Sequence, residues 1–280
     1  MSKRPTFPAQ LDATLAKTRP NPHGALAKPV AAFAPSAQAP RPAPARLPAA
    51  RLASGAQPPV PVPHGVGMDS SAVRQRMVQK LAEQGVRDPL VLSAMGRIER
   101  HRFVDSALAN QAYEDTSLPI GLGQTISKPG VVSRMAELLR NGRTDMLGRV
   151  LEIGTGCGYQ AAVLSLLARE VYSIERLRGL HDKARENLRP LRLSNLHLLF
   201  GDGMQGYAKG APYAAIIAAA GGEAIPQAWV DQLAVGGRLV APVATGGGAQ
   251  ALVVLDKTAQ GVKQTILEAV HFVPLKSGLA

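Results

Sequence analysis

The chain has 280 residues, 46% of them hydrophobic, which is enough for a sizeable core in one large domain or two small ones. Its formal net charge is +12, but residues 1–68 carry eight basic side chains and one acid, so a uniformly basic nucleic-acid-binding core is not indicated. No run of 18 apolar residues occurs, which argues against a transmembrane helix and a membrane partner. The single cysteine, Cys157, excludes an internal disulfide and favours a reducing compartment, which we predict to be the cytoplasm.

Residues 1–68 are predicted to form a disordered, basic tail. They contain 14 of the 22 prolines and 16 alanines, a composition that cannot bury enough apolar surface to offset the entropy of ordering. A linker or solubilising role is favoured, and contact with nucleic acid or a membrane surface is the alternative. The remaining residues, 69–280, are predicted to form the folded domain.

The first part of this domain is predicted to be a helical lead-in. Asp69, Ser70 and Ser71 offer caps for a helix through Glu83, and Asp88 caps a second helix that runs to about Ile98. The further predicted elements are a core face of Val91, Leu92 and Met95, a short helix ending at Asn110, an irregular loop at residues 113–129, and a helix from about Pro129 to Leu139.

Ser127 stands two residues before the proline that opens this last helix. The spacing alone favours an N-cap, because serine is preferred immediately before a helix that begins with proline. The alternative is functional: the hydroxyl and the nearby backbone N–H groups would then offer hydrogen bonds to an anionic substrate.

Residues 150–175 have the pattern of a βαβ unit. A short apolar strand, Val150–Ile153, meets glycines at 154, 156 and 158, a helix follows from Tyr159 to Ala168, and a second strand ends on Glu175. Glycines allow a tight turn and a close approach of a ligand, and a carboxylate at the tip of the second strand can accept hydrogen bonds from both ribose hydroxyls. The unit therefore predicts an adenosine-containing cofactor.

The spacing of these glycines favours S-adenosyl-L-methionine over a dinucleotide. The motif is G-x-G-x-G rather than G-x-G-x-x-G, and an acid stands inside the preceding strand. Cys157 is interpreted as a small filler of the turn and not as a nucleophile. The predicted cofactor-binding residues of this unit are Glu152, Gly154, Thr155, Gly156, Gly158 and Glu175.

The rest of the chain completes a doubly wound α/β domain, with a mostly parallel sheet of seven strands and helices on both faces. Asp202 and Gly203 follow the third strand, where an acid lies over the ligand crevice or, alternatively, only forms a turn. The further predicted elements are helices at 177–188 and 226–233 and strands at 196–200, 213–219, 238–243, 251–256 and 262–272.

Several motifs resemble those of the protein-L-isoaspartate O-methyltransferases over about residues 70–280. They are FVD at 103–105, LPIGLGQTISKP at 118–129, VLEIGTGCGYQ at 150–160, GDG at 201–203 and FVPL at 272–275. The resemblance implies a class I methyltransferase fold, with methyl transfer from S-adenosyl-L-methionine to the free α-carboxylate of L-isoaspartyl residues in damaged proteins. The methyl ester then closes to a succinimide, which begins repair.

The resemblance also implies roles for individual residues. Asp202 and Gly203 would contact the adenine, Ser127 would fix the substrate carboxylate as the catalytic residue, and Thr125, Ile126 and His271 would contact the substrate. For His271 a purely structural role is the alternative, since a lone histidine near a strand end more often has one. The chain departs from the family pattern at three positions, where alanine replaces the usual acid (Ala214), alanine replaces a common threonine (Ala219) and histidine replaces a frequent arginine (His271).

The chemistry requires neither a metal nor a general base, since a carboxylate is already ionised at pH 7. One alternative is a nucleic-acid methyltransferase of the same fold, which would carry an Asn/Asp-Pro-Pro-aromatic motif where this chain has residues 218–222, Ala-Ala-Ala-Gly-Gly. The other is a binding module that has lost catalysis, which Ala214 hints at and the intact loop around Ser127 argues against.

Overall fold

The computed structural model describes residues 71–280, so the predicted tail and the predicted caps Asp69 and Ser70 lie outside the described residues. The strands are β1 (Leu118–Gly121), β2 (Gln124–Ile126), β3 (Leu147–Ile153), β4 (Ala168–Glu175), β5 (Leu196–Phe200), β6 (Tyr213–Ala218), β7 (Leu233–Gly246), β8 (Ala249–Thr258) and β9 (Gly261–Val270). The helices are α1 (Ser71–Glu83), α2 (Pro89–Arg97), α3 (Pro129–Arg140), α4 (Tyr159–Ser165), α5 (Arg178–Leu188) and α6 (Gln227–Gln232).

Seven strands form one sheet in the order β5-β4-β3-β6-β7-β8-β9. The pairs from β5 to β7 are parallel, and β8 and β9 add antiparallel pairs at one edge. The chain passes from β3 to β4 on one side and returns through β6 on the other, so the strand order reverses between β3 and β6. Ligands of open α/β sheets bind at the carboxyl ends of the strands at such a switch point.

Alternating residues of the central strands face two separate apolar layers. Val150 packs with Met135 of α3 and Leu164 of α4, whereas Leu151 packs with Trp229 of α6. Helices therefore cover both faces of the sheet, which confirms the predicted fold class. A further cluster joins α1 and α2 to α4 and α5, so the predicted helical lead-in is part of the same core.

The structure corrects several predicted boundaries. The segment predicted as an irregular loop contains the β1–β2 hairpin, whose strands are too short and too rich in glycine and proline to show periodicity. Strand β7 begins at Leu233, although this residue was predicted to end a helix. Leu233 pairs with Tyr213 of β6, and the regular pairing resumes only at Arg238 with Ala215, so residues 234–237 form an irregularity in the strand. On α2 the buried residues are Val91, Ala94 and Met95, while Leu92 is half-buried.

One buried ion pair ties α2 to α3. Asp88 caps α2 as predicted, accepting hydrogen bonds from the backbone N–H groups of Leu90 and Val91, and its other oxygen lies 2.7 Å from Nε of Arg140. Both side chains are almost fully buried. Removing one member of such a pair leaves the other charge buried without a partner.

We expect Asp88→Ala to lower the free energy of unfolding by about 3–5 kcal/mol, because it strands the Arg140 guanidinium and removes the helix cap. Urea denaturation measures the change. The matched control is Asp145→Ala, which breaks the exposed pair with Arg143 at 2.9 Å and should lower the stability much less, because water and salt screen an exposed pair. Equal losses in the two variants would contradict the account.

Candidate functional site

A cavity of about 440 Å³ lies over the carboxyl ends of the central strands. Its floor comes from the turn after β3, the end of β4, the turn after β5 and the residues after β6, and its roof comes from the β1–β2 hairpin and residues 273–276. The predicted site residues that line it are Thr125, Ile126, Ser127, Gly154, Thr155, Gly156, Glu175 and Gly203. The volume suits a ligand of nucleoside size.

The turn after β3 adopts backbone conformations that favour glycine. Gly154, Gly156 and Gly158 have φ angles of +90°, +56° and +93°. Gly158 does not line the cavity; a Cβ there would lie 2.7 Å from Leu188 of α5, so this glycine allows the helix to pack closely. The turn thus brings backbone rather than side chains to the cavity wall at Gly154 and Gly156.

Glu175 is held at the tip of β4 by two backbone donors. Its Oε2 accepts a hydrogen bond from the N–H of Gly156 at 2.9 Å, and its Oε1 accepts one from the N–H of Leu177 at 2.9 Å. The residue is 6% exposed and lines the cavity. Each carboxylate oxygen keeps a further lone pair, which is the arrangement needed to accept hydrogen bonds from two neighbouring ribose hydroxyls.

Glu152 lies behind the cavity wall rather than on it. It is fully buried within β3, and its Oε2 accepts a hydrogen bond from Oγ of Ser173, which is 2.6 Å from Oγ1 of Thr155. Burial raises the pKa of Glu152 to about 8, although the hydrogen bond from Ser173 and the nearby side-chain amide of Gln160 oppose the rise. Any role of Glu152 toward a ligand is therefore indirect, through Thr155 or Gln160, which do line the cavity.

Ser127 is half-buried and has no hydrogen-bond partner for its hydroxyl among residues 71–280. The N-cap interpretation is wrong, because Lys128 occupies the N-cap position of α3. The side chain that serves this helix end is Asp115, whose Oδ1 accepts a hydrogen bond from the N–H of Gly130 at 2.7 Å. Since another residue satisfies the helix, the Ser127 hydroxyl is available to a ligand in the cavity.

The hairpin just before this serine is held by Lys183, and the segment that leads into the hairpin is held by Arg100. Nζ of Lys183 on α5 donates to the carbonyl of Ile120 at 3.0 Å. Arg100, which is fully buried, donates from Nε to the carbonyl of Ala112 at 2.7 Å, and its guanidinium lies 4.8 Å from the centre of the Tyr159 ring. At the hairpin tip Leu122 has φ +52° and is 63% exposed, so it lies over the mouth of the cavity.

Asp202 and His271 do not line the cavity. The Asp202 carboxylate accepts hydrogen bonds from the N–H of Met204 at 2.9 Å and from the N–H of Gly278 at 2.8 Å, as the turn interpretation expects. Gly203 beside it is buried and forms part of the wall. His271 is exposed just beyond β9, so its predicted contact with substrate has no counterpart in the lining.

The two alanine departures fall in different places. Ala219 lines the cavity, where a Cβ built on Gly154 would lie 3.6 Å from its side chain. Ala214 is half-buried near the start of β6 and faces Gly148, away from the ends of the strands where the cavity lies. Only the replacement at 219 therefore changes the wall of the site.

Sequence reasoning missed four residues that shape the site. Arg100 and Asp115 were not among the predicted site residues, because their hydrogen-bond partners lie 12 and 15 residues away along the chain. Ser173 could have been found, since it pairs in register with Glu152 on the neighbouring parallel strand. Gln160 was inside a recognised motif, but its buried position on the cavity wall depends on how α4 packs.

The fold and this site define a class I S-adenosylmethionine-dependent methyltransferase. A glycine turn, an acid at the tip of the next strand and a cavity at the switch point occur together in the predicted order. Within residues 71–280 there is no group of three or more side chains that could hold a metal ion, and no helix is long and apolar enough to cross a bilayer.

Comparisons with known proteins identify the family. A family model described as protein-L-isoaspartate(D-aspartate) O-methyltransferase matches residues 72–280. Proteins named protein-L-isoaspartate O-methyltransferase from Methylibium petroleiphilum and Leptothrix cholodnii are each 63% identical, over 77% and 76% of this chain and 81% and 77% of their own. A solved structure with the same name has a TM-score of 0.67 and 28% identity, covering 74% of this chain and 67% of the other.

The chain therefore belongs to the protein-L-isoaspartate(D-aspartate) O-methyltransferase family. It is an S-adenosylmethionine-dependent enzyme that methylates L-isoaspartyl residues in damaged proteins. A Plasmodium falciparum protein titled a putative member, solved with S-adenosyl-L-homocysteine, shares the fold with a TM-score of 0.62 at 23% identity, over 72% of this chain and 98% of that one.

We expect Glu152→Gln to change how stability depends on pH. The pKa of Glu152 is raised from 4.5 to about 8 on folding, so between these values the unfolded chain binds fewer protons and the free energy of unfolding falls as pH rises. This contribution has a slope of at most about 1.4 kcal/mol per pH unit. The variant lacks this pH dependence, so its free energy of unfolding relative to that of the wild type should rise from pH 5 to pH 8. Urea denaturation measures both proteins, and a difference that stays constant over this range would contradict the shift in pKa.

Proposed function

We propose that Ser127 and the hairpin backbone hold the α-carboxylate of the isoaspartyl residue beside the methyl donor. The observation that carries this proposal is the Ser127 hydroxyl, which lines the cavity and has no hydrogen-bond partner among the described residues. Thr125 is exposed and Ile126 is buried, so the first can meet the substrate backbone while the second anchors the loop. Hydrogen bonds to an ionised acceptor are about twice as strong as those between neutral groups.

The charges of the wall favour an anionic acceptor. The Asp, Glu, His, Lys and Arg side chains that line the cavity are Glu175, Arg176 and Lys276, and Glu175 already accepts two backbone hydrogen bonds. Lys276 is exposed at the mouth, and Nε of Arg176 donates to the carbonyl of Gly278. A net positive rim attracts a carboxylate and raises its local concentration before binding.

The residues on the floor fit the methyl donor. Glu175 accepts hydrogen bonds from the ribose hydroxyls, Gly154 and Gly156 allow the ligand to approach the backbone, and Gly203 borders the adenine. Asp202, next to Gly203, acts indirectly by accepting a hydrogen bond from the N–H of Gly278. Gly158 acts indirectly by allowing α5 to pack closely. When bound, S-adenosyl-L-methionine supplies a methyl group on a positively charged sulfur.

The protein contributes placement rather than acid–base chemistry. The acceptor carboxylate is ionised at neutral pH, so no side chain has to remove a proton. Alignment of the carboxylate oxygen with the methyl carbon and the sulfur can contribute on the order of 7–11 kcal/mol to lowering the barrier. The hairpin roof and Leu122 keep water from the acceptor, which is less reactive when hydrated. The methyl ester then cyclises to a succinimide without help from the enzyme.

The domain boundary and the location of the protein complete the proposal. Residues 69–280 form the methyltransferase domain, supported by the family match to 72–280, and residues 1–68 lie outside this domain. The protein acts in the cytoplasm without a membrane partner, and contact with nucleic acid is disfavoured except through the basic tail. His271 is proposed to meet the outer part of the peptide, where its exposure permits contact.

Methyl transfer from labelled S-adenosyl-L-methionine to two matched peptides tests the proposal, one with isoaspartate and one with aspartate. We expect base-labile label on the isoaspartyl peptide alone, because a methyl ester hydrolyses in base. Label on neither peptide, with the cofactor still bound, would favour the inactive binding module. Label on RNA would favour a nucleic-acid methyltransferase, and its loss on removing residues 1–68 would show that the tail recruits the RNA.

We expect Ser127→Ala to lower kcat by about 10-fold to 1000-fold while the affinity for cofactor stays within about twofold, since its hydroxyl contacts only the acceptor. The matched control is Ser133→Ala, which removes a hydroxyl bonded to the carbonyl of Pro129 inside α3 and away from the cavity. Steady-state kinetics with the isoaspartyl peptide measure both variants. Equal losses in kcat would show that the effect of Ser127 does not come from a contact with the acceptor.

A further inference from the structure

Glu152 is a buried acid without a positively charged partner. It makes no ion pair within residues 71–280, and its hydrogen-bond donor is the neutral hydroxyl of Ser173. Across the parallel register it pairs with Ile217 of β6, which offers no charge. An ionised carboxylate in such surroundings is costly, so the neutral acid is favoured until a cation arrives.

Two polar atoms beside this acid also lack partners. Oε1 of Glu152 and Nε2 of Gln160 are both buried, and neither makes a hydrogen bond. Gln160 and Thr155 form part of the cavity wall, and Thr155 connects to Glu152 through Ser173. The acid is therefore separated from the cavity by one layer of neutral polar side chains. Such a layer transmits the field of a charged ligand, because the low local dielectric screens it weakly.

We propose that Glu152 senses the charge of the ligand: it is protonated with S-adenosyl-L-homocysteine in the cavity and becomes ionised when the sulfonium of S-adenosyl-L-methionine occupies the same place. This inference rests on the cofactor site proposed above. It makes Glu152 a positioning and specificity residue that favours the methyl donor over the spent product without touching either one.

The other charges around the acid do not supply this effect. Glu175, on the neighbouring strand β4, is the charged group that acts on Glu152, and its negative charge opposes ionisation. From α4 the facing side chain is the neutral Gln160, and from β6 it is an apolar residue. Arg176 and Lys276 belong to the cavity wall and not to the surroundings of Glu152, which is fully buried. Burial is the largest influence and raises the pKa to about 8, within reach of a ligand charge at neutral pH.

The proton and the methyl group can be followed through one turnover. When the methyl donor binds, Glu152 releases one proton to solvent and its negative charge faces the sulfonium. In the reaction the carbon–sulfur bond breaks, the carbon–oxygen bond of the ester forms, and the sulfur keeps the electron pair. The sulfonium charge disappears, so Glu152 takes a proton back from solvent. The neutral product then loses the electrostatic attraction that held the donor.

Calorimetric titrations in buffers of different ionisation enthalpy count the protons released on binding. Wild-type protein and Glu152→Gln are each titrated with S-adenosyl-L-methionine and with S-adenosyl-L-homocysteine at pH 7, without acceptor. For each protein, the number of protons released on binding S-adenosyl-L-homocysteine is subtracted from the number released on binding S-adenosyl-L-methionine. Protons from the ligands' own amino groups are the same for both proteins, so comparing this value between the wild type and the variant isolates Glu152. We expect the two values to differ by close to one proton. The affinity for the donor should also rise by up to about 10-fold per pH unit below pH 8 in the wild type alone.

If this proton release does not differ between the wild type and Glu152→Gln, and both ligands still bind, the inference is overturned and the proposed function stays intact. Failure of either ligand to bind the wild type would instead overturn the proposed cofactor site. Glu170→Gln, on the neighbouring strand β4, half-buried and paired with Arg149, is the control for loss of a carboxylate and should behave as wild type.

The wild-type protein alone provides a second test if the Glu152 variant does not fold. Infrared difference spectra detect a buried protonated carboxyl group through its carbonyl stretch. We expect this band in the free protein, its loss with S-adenosyl-L-methionine and its retention with S-adenosyl-L-homocysteine. Absence of the band in the free protein, or its loss with both ligands, would contradict the proposal.

Discussion

The hydrogen bond from the N–H of Gly156 to Glu175 joins the ends of two neighbouring parallel strands. It fixes the turn after β3 and the acid after β4 in one arrangement, at the place where the strand order reverses. The floor of the cavity depends on this bond, because the turn offers backbone to the ligand only while the acid holds it. A parallel sheet with helices on both faces makes the bond possible by bringing the two strand ends side by side.

The roof depends on different polar groups near α3 making different contacts. Asp115 satisfies the first turn of the helix, so Ser127 does not have to. Lys183 holds the hairpin and Arg100 holds the segment before it, each through a backbone carbonyl, which leaves the inner surface of the hairpin for the substrate. Asp202 holds the chain at Gly278, just after residues 273–276, which form the other part of the roof.

Much of the fold could be predicted from the sequence, because the βαβ unit at 150–175 and the apolar strand at 213–218 follow their periodicities. The predicted helix end at Ala168 was wrong, since α4 ends at Ser165 and Ala168 begins β4. The hairpin could not, since strands of four and three residues show no period. The Asp115 cap and the contact of Asp202 with Gly278 join positions far apart in the chain, so no local pattern reveals them. The place of Glu152 behind the wall depends on which face of β3 meets α4.

The central claim is that the acceptor carboxylate binds at Ser127 on the roof while Glu175 holds the ribose on the floor. A crystal structure of the protein with S-adenosyl-L-homocysteine and an isoaspartyl peptide tests it most directly. The account predicts that Oγ of Ser127 lies about 3 Å from an oxygen of the isoaspartyl α-carboxylate, which points toward the sulfur. A carboxylate held elsewhere, with Ser127 turned back to α3, would contradict the account.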